Sequence, residues 1–283
     1  MKLRHLLVGL AAVATLTACS DYAKVLKSHD AYYKYEAAKE YYTRGQYART
    51  ATLLNEVLPA LRGTELGEEA LYLHGSATLK AKDYDAAATI LRKYYTDYPR
   101  GQFAEQASYN CGIALYKSTP EVKLDQTPTY EAVTELSRFI ERYPRSPLTV
   151  DARDKIFELQ DKLVEKEWLS AKLYYDLGSY FLNCSKGGSN YQACIVTAEN
   201  AIRDYPYTPR KEEFAFLIVR AKFGLADQSV SEKKEERLVS AIDEYHSFID
   251  EFPQSVHRSE ADQLYRKYSR QLNRPIQTEE EEA

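Results

Sequence analysis

Apolar side chains recur along most of this chain at intervals of three and four. The segments that carry them close on a common mark, an aromatic residue followed by proline. "DYPRG" at 97, "RYPRS" at 142, "DYPYT" at 204 and "EFPQS" at 251 are four instances. Counting back, the proline lies 15 residues after Tyr84, Tyr191 and Leu238, and 14 after Tyr130. That spacing, ended by a residue that cannot continue a helix, predicts amphipathic helices opening at those four positions. "YARTATLLNEVLP" from Tyr47 reads as a fifth, more divergent copy. Sustained period-two alternation bounded by turns is missing, so no strands are predicted.

Ahead of these helices lie others with a small residue at the centre: Ala38, Gly75, Gly112 and Gly178. From about Gly67 to Pro99 the second copy keeps the 34-residue helix–turn–helix spacing of the tetratricopeptide repeat, with Gly75, Tyr84, Ala87 and Pro99 in that repeat's relative positions. The expected fold is all-α, a right-handed α-solenoid of about five tetratricopeptide-like hairpins, each burying its apolar stripe against its neighbours. Insertions are expected between paired helices: "KSTPEVKLDQTPT" in copy three, "SKGGSN" in copy four and "ADQSVSEKKEE" in copy five. A long helical pattern from Leu148 to about Leu182, with Ile156, Leu159 and Leu163 at helical spacing, joins copies one to three to copies four and five. The final "NRPIQTEEEEA" has nothing to bury and reads as a disordered acidic tail.

The first residues follow a different rule. Lys2 and Arg4 precede an apolar run from Leu6 to Ala18, the layout of a secretory signal peptide, and the run is too short to span a bilayer. Leu16-Thr17-Ala18-Cys19 resembles the bacterial lipobox, a branched apolar residue and two small residues before cysteine. The resemblance implies export, cleavage before Cys19, and a diacylglyceryl and N-acyl lipid on that residue. More than one acyl chain is needed for a stable membrane tether. The expected organisation is a signal peptide over 1–18, a lipidated tether over 19–30 and N-terminal repeats over 31–146. The long helix with repeats four and five then occupies 147–272, and the tail 273–283.

Cleavage would remove Lys2 and Arg4 and leave 36 basic against 42 acidic side chains, a poor balance for nucleic-acid binding. Tyrosine is the compositional outlier, 25 against one Trp and one Met. Besides Cys19 there are Cys111, Cys184 and Cys194, an odd set that is no disulfide framework, although Cys184 and Cys194 are able to pair in an oxidising compartment. The five histidines lack metal-ligand spacing, and "SKGGSN" lacks the preceding strand of a phosphate loop. Glu68-Glu69 and Glu212-Glu213 sit where helices start and complement the helix dipole. No enzyme, no metal and no cofactor beyond the lipid is expected.

In tetratricopeptide arrays the first helix of each hairpin lines the concave face. Three residues before each small centre stand Tyr35, Tyr72, Tyr109 and Tyr175; four beyond it stand Tyr42, Leu79, Tyr116 and Leu182. These offsets share one helical face. They predict a ladder of tyrosines suited to peptide capture, with Lys39, Lys80 and Lys117 close by. Aromatics also occupy such positions for packing alone.

The lipobox, five repeats, a loop inserted in the third and a long linking helix together resemble the BamD family, lipoproteins of the outer-membrane β-barrel assembly machinery. The resemblance is strongest from "DQTPTYEAVTELSRFIERYPRSPLTVDARDKIFELQDKLVEKEWLSAKLYYDLGSY" to "AIRDYPYTP". It implies a non-catalytic adaptor on the periplasmic side of the outer membrane that binds unfolded outer-membrane proteins and the periplasmic domains of the barrel insertase BamA, with other assembly lipoproteins as further partners. Substrate would meet Tyr35, Lys39, Tyr42, Tyr72, Tyr109 and Tyr116 and the loop around Asp125; the insertase would meet Trp168, Tyr175 and Arg203. The residues alone leave open another tetratricopeptide lipoprotein scaffold, for peptidoglycan, division machinery or nutrient uptake.

Overall fold

The computed structural model describes residues 21–178 and 189–272, and every regular element among them is helical. In chain order these are α1 (21–27), α2 (Ala31–Thr43), α3 (Tyr47–Leu61), α4 (Glu65–Lys80), α5 (Tyr84–Asp97), α6 (Ala104–Ser118), α7 (Thr127–Arg142), α8 (Thr149–Asp176), α9 (Asn190–Asp204), α10 (Lys211–Asp227), α11 (Ser231–Glu251) and α12 (Arg258–Leu272). None of them is long and apolar enough to cross a membrane. The signal peptide, Cys19, Leu182, Cys184, most of "SKGGSN" and the tail lie outside the described residues. Cys194, the other half of the suggested disulfide, is buried in α9.

The aromatic-proline mark is a structural repeat. Tyr98, Tyr143, Tyr205 and Phe252 cap α5, α7, α9 and α11 with φ between −123° and −129° and ψ between 59° and 65°. In each the cap N–H donates to the carbonyl four residues back, and the following proline keeps the cap out of the helical region. The turn beyond repeats as well. Ser146, Thr208 and Ser255 hydroxyls accept the N–H groups of Leu148, Arg210 and His257 at 3.1, 3.2 and 3.0 Å. Gly101 has no hydroxyl, and there the carboxylate of Glu68 accepts the Gln102 N–H at 3.0 Å and the Tyr94 hydroxyl at 2.7 Å. A Cβ on Gly101 would stand 2.5 Å from that carboxylate oxygen, so the absent side chain makes room for it. Glu212, at the matching place in α10, accepts the Ser255 hydroxyl at 2.6 Å. The acidic residues at these helix starts therefore tie one hairpin to the next, besides meeting the helix dipole.

Glycine sets how closely paired helices approach. A Cβ on Gly75 would lie 2.7 Å from Leu91, and one on Gly112 would lie 2.5 Å from Leu136. Ala38 serves α2, with the Thr50 hydroxyl 3.2 Å from its carbonyl oxygen. Gly178 lies just past the end of α8, not at a helix centre, and yet packs on Tyr191 of α9. The same ring is met from α10 by Gly224, a close approach the sequence reading passed over.

The helices gather into two compact units, one of described residues 21–121 and 125–159, the other of 122–124 and 160–272. The division falls inside α8, later than the expected break at 146. The first part of that helix buries Ala152 and Leu159 with α4 to α7, and its second part buries Val164 and Ala171 with α9 and α10. Each unit is a stack of antiparallel hairpins in the tetratricopeptide manner.

Two boundaries differ from expectation. α11 opens at Ser231, not at Leu238, because "SEKKEER" consists largely of good helix formers with Glu232 in the first turn; most of the presumed insertion is helix. Pro59 does not stop α3, which runs on to Leu61. So near the end, proline costs the helix a single hydrogen bond, the one its missing N–H would give the Asn55 carbonyl.

One imidazole is buried in the first unit. His74 of α4 is 7% exposed and its Nδ1 has no partner. Burial pushes its pKa down from 6.5 to about 4. The charged groups around the same space are Arg62, just past the end of α3, and Lys93 and Asp97 of α5.

Two outcomes are expected from this packing. Gly112→Val forces Leu136 from its place and lowers unfolding stability by about 1–3 kcal/mol, read from urea denaturation. For His74, the unfolded chain takes up a proton near pH 6.5 and the folded chain only near 4. The stability from keeping the imidazole neutral is therefore complete above about pH 6.5 and falls away towards pH 4, by about 3 kcal/mol in all. His74→Cys should flatten that part of the stability–pH curve.

Candidate functional site

The tyrosine ladder of the first unit exists, and its members are already engaged. Tyr35 is fully buried on the inner face of α2, a core residue and not the groove residue expected from its spacing. Burial, with Glu69 nearby, holds its hydroxyl pKa well above the usual value. Lys39 on the next turn pairs with Glu69 of α4 at 3.3 Å and lies 5.2 Å over the Tyr35 ring. Tyr42 meets Tyr47 edge-on at 5.4 Å, with the Lys80 ammonium 4.6 Å over its ring. The half-buried Tyr72 stacks flat on Phe103 at 4.3 Å.

On α6 the pattern turns polar. The Tyr109 hydroxyl donates to Asp151 at 2.5 Å, and the Tyr116 hydroxyl donates to Glu158 two helical turns further along α8. Burial first, and then the Asp151 carboxylate, push the Tyr109 phenol pKa upward. Lys155 beside Glu158, assisted by Tyr116, holds that carboxyl below its usual range. Asp125, in the loop after α6, accepts the N–H and hydroxyl of Thr127 and so holds the entry to α7. The ladder binds successive first helices to one another, and its rims stay half-exposed.

In the second unit the structure brings Trp168 and Tyr175 together. With Lys172 they line a cleft of about 310 Å³ whose other wall is Phe216, Arg220 and His257. Trp168 stands edge-on to Phe214 at 5.4 Å, and the His257 imidazole lies flat on Phe216 at 4.4 Å. Arg220 spans the cleft, 4.5 Å over the Tyr175 ring and 3.3 Å from Glu260. Arg210 reaches Glu165 at 2.5 Å and Glu213 at 2.7 Å while lying 5.6 Å over the indole. The result is an aromatic floor with fixed charges of both signs at its edge, an arrangement for holding an amphipathic segment. Arg203, the third expected partner residue, is exposed on α9, pairs with Asp204 and takes no part in the cleft. Phe216 and Arg220 were missed, although an aromatic and a cation four apart on a helix were there to be read.

A scaffold of stacked helical hairpins, with half-exposed aromatic and charged faces on its first helices, defines a repeat-built interaction protein. Residues 27–187 match the YfiO family profile, described as outer membrane lipoprotein, and the chain belongs to that family. It is 25% identical over 178 residues to the outer membrane protein assembly factor BamD of Caulobacter vibrioides, which covers 60% of this chain and 58% of the relative. It is 22% identical over 186 residues to BamD of Rickettsia prowazekii, 65% of this chain and 70% of that one. The match thus spans under two thirds of the Caulobacter protein's length. Among solved structures the TPR2AB-domain:pHSP90 complex of yeast Sti1 overlaps 84% of this chain and 98% of that one, at 14% identity and a TM-score of 0.39.

A ladder that links repeats should report itself in stability. Tyr109→Phe removes one half-exposed hydrogen bond and is expected to lower the urea midpoint by the equivalent of about 1 kcal/mol without altering helical circular dichroism.

Proposed function

We propose that the chain is held by the lipid on Cys19 at the outer membrane, faces the periplasm, and serves there as a non-catalytic adaptor in β-barrel assembly. It binds unfolded outer-membrane proteins and the periplasmic domains of the insertase BamA, and so promotes folding and insertion; other assembly lipoproteins join it. The observation that supports this reading most is the family match, which takes in the first unit from residue 27 onward and the whole of α8. The relatives named as assembly factors point the same way. Geometry supports the reading with an aromatic-lined face in each unit. An adaptor of this kind works by proximity, raising the effective concentration of client beside the insertase.

In the second unit, Trp168, Tyr175 and Arg220 are assigned to the insertase; in the first, Tyr72, Tyr109, Tyr116 and Tyr42 present their rims to client. The test is affinity purification of the tagged full chain from detergent-solubilised membranes, followed by mass spectrometry. A polypeptide with periplasmic repeats and a C-terminal barrel is expected to copurify, and Trp168→Ala with Arg220→Ala should reduce its recovery about tenfold or more, since buried aromatic and Arg anchors dominate such interfaces. Recovery of cell-wall enzymes with no barrel protein would refute the assignment.

A further inference from the structure

The chain enters the first unit from a definite end. α1 folds back along α2: its Tyr22 ring meets Tyr41, in the last turn of α2, edge-on at 5.5 Å, and Val25 is buried in one cluster with Tyr35 and Ala38. The Arg49 guanidinium of α3 lies 4.8 Å over Tyr22 and 5.8 Å over Tyr41. The turn from α2 to α3 lies between those two residues, closed by the Gln46 N–H donating to the Tyr41 carbonyl at 2.8 Å. Asp21 and Tyr22 therefore stand at the end of the unit where paired helices turn into one another.

That end carries a cation on tyrosine in each of three successive hairpins. Beside Arg49 on Tyr22 and Tyr41, the Lys80 ammonium lies 4.6 Å over Tyr42 and 5.1 Å over Tyr47. Lys117 lies 5.9 Å over Tyr84, which opens α5 as Tyr47 opens α3. Lys82 is exposed in the turn between α4 and α5. Lys24 and Arg44 are taken up by Asp21 at 3.7 Å and Glu40 at 3.1 Å, and Asp83 caps α5 by accepting the Ala86 N–H. Among the described residues no carboxylate pairs with Lys80 or Lys117; each ammonium is seated on rings and open to solvent on its other side.

We propose that this end of the first unit lies against the membrane surface, with Lys80, Lys82 and Lys117 on the phosphates of phospholipid headgroups and the tyrosine rings beneath them at headgroup level. Chain length decides which end it is. Cys19 precedes Asp21 by two residues, which span about 7 Å at most. A lipid on Cys19 thus draws the bilayer to the end where Asp21 stands. The opposite end, with Arg100 in the turn after α5, is a helix length away, about 21 Å for the 14 residues of α5. Tyrosine and lysine together suit the interface, the ring being apolar with a polar tip and the ammonium standing on a flexible stem. Asp83 and Asp85 offset part of the positive charge, so the contact orients a tethered protein and does not replace the tether. The proposal rests on the Cys19 lipid of the proposed function, and adds which face of the scaffold that lipid sets against the bilayer.

The test uses the full lipidated chain in nanodiscs of phosphatidylcholine and phosphatidylglycerol that contain a lipid with a nitroxide on its headgroup. A fluorophore is attached at Ala81→Cys or, at the opposite end, at Arg100→Cys, both exposed positions. Cys184→Ser confines the label to that site, since Cys111 and Cys194 are buried and the lipid blocks Cys19. The nitroxide should quench the label at 81 and leave the label at 100 bright. Lys80→Gln with Lys117→Gln should lower the ratio of docked to undocked protein about thirtyfold, and most of the quenching at 81 with it, while helical circular dichroism stays unchanged. Equal quenching at both positions, stronger quenching at 100, or none at either in protein that carries the lipid would overturn the proposal. So would quenching at 81 that survives both lysine replacements, which would leave the orientation to the tether alone. Protein whose intact mass lacks the lipid and which fails to enter the discs would overturn the anchor itself and the proposal with it, an outcome read from the mass before any quenching is measured.

Discussion

Leucine lying directly on glycine is the contact on which the rest of this architecture depends. At Gly75 and Gly112 there is no space for even a methyl group, so α4 with α5, and α6 with α7, pack with backbone against side chain. Such an approach fixes interhelical distance far more tightly than two layers of interleaved side chains would, because close-packed interiors resist small volume changes. Once that distance repeats, the aromatic-proline stop falls at the same height in each hairpin, and its φ and ψ recur within a few degrees. The turn hydroxyls then find the same N–H groups, and each new hairpin starts from the same geometry as the last. Where a turn hydroxyl is missing, at Gly101, the Glu68 carboxylate takes its place without disturbing the register.

The lateral bonds follow from that register. Tyr109 and Tyr116 lie seven apart on α6, and Asp151 and Glu158 lie seven apart on α8, so both hydroxyl–carboxylate bonds form with one relative setting of the helices. Individually these half-exposed bonds contribute modestly. Their value is in specificity of register, since a slip by one residue would break both together. The second unit uses a different vocabulary for the same purpose, Arg220 of α10 lying over Tyr175 and pairing with Glu260 so that one guanidinium ties its own helix to α8 and α12.

Much of this was legible in the chain. The proline spacing and the small centres define hairpins whatever fills them, because a helix breaker and a glycine act locally. The α11 boundary was misjudged for the opposite reason: "SEKKEER" is polar all round, so periodicity is silent there and only propensity speaks. Pro59 reads as a stop, and whether it stops the helix depends on how few residues follow. Tyr35 and Tyr72 share a sequence position but not an environment. Tyr35 is sealed in the core on the inner face of α2, while Tyr72 meets Phe103 from the turn after α5. Which ring is sealed is a property of neighbours distant in sequence, and spacing within one helix carries no information about them. The cleft of Trp168 and Tyr175 was half legible for the same reason, since its other wall comes from α10 and α12.

Repeat scaffolds face a choice at each groove between packing it with their own side chains and leaving it for something else. The pair α5 and α7 takes the first course: Arg92 and Tyr95 bond to Glu131 and Glu135 and fill the space, with the Arg92 Nε alone left buried and unpaired. At α3 and α5 the same positions are Asn55, Leu58 and Ile90, and the structure forgoes those bonds while burying an imidazole nitrogen with no partner. Burying an unpaired polar atom lowers stability. The excess destabilisation is concentrated on one helix face, beside a second face whose tyrosines are committed to neighbouring repeats. The groove at α3 and α5 is open without loosening the ladder that holds the register, because the ladder's bonds lie on the first helices.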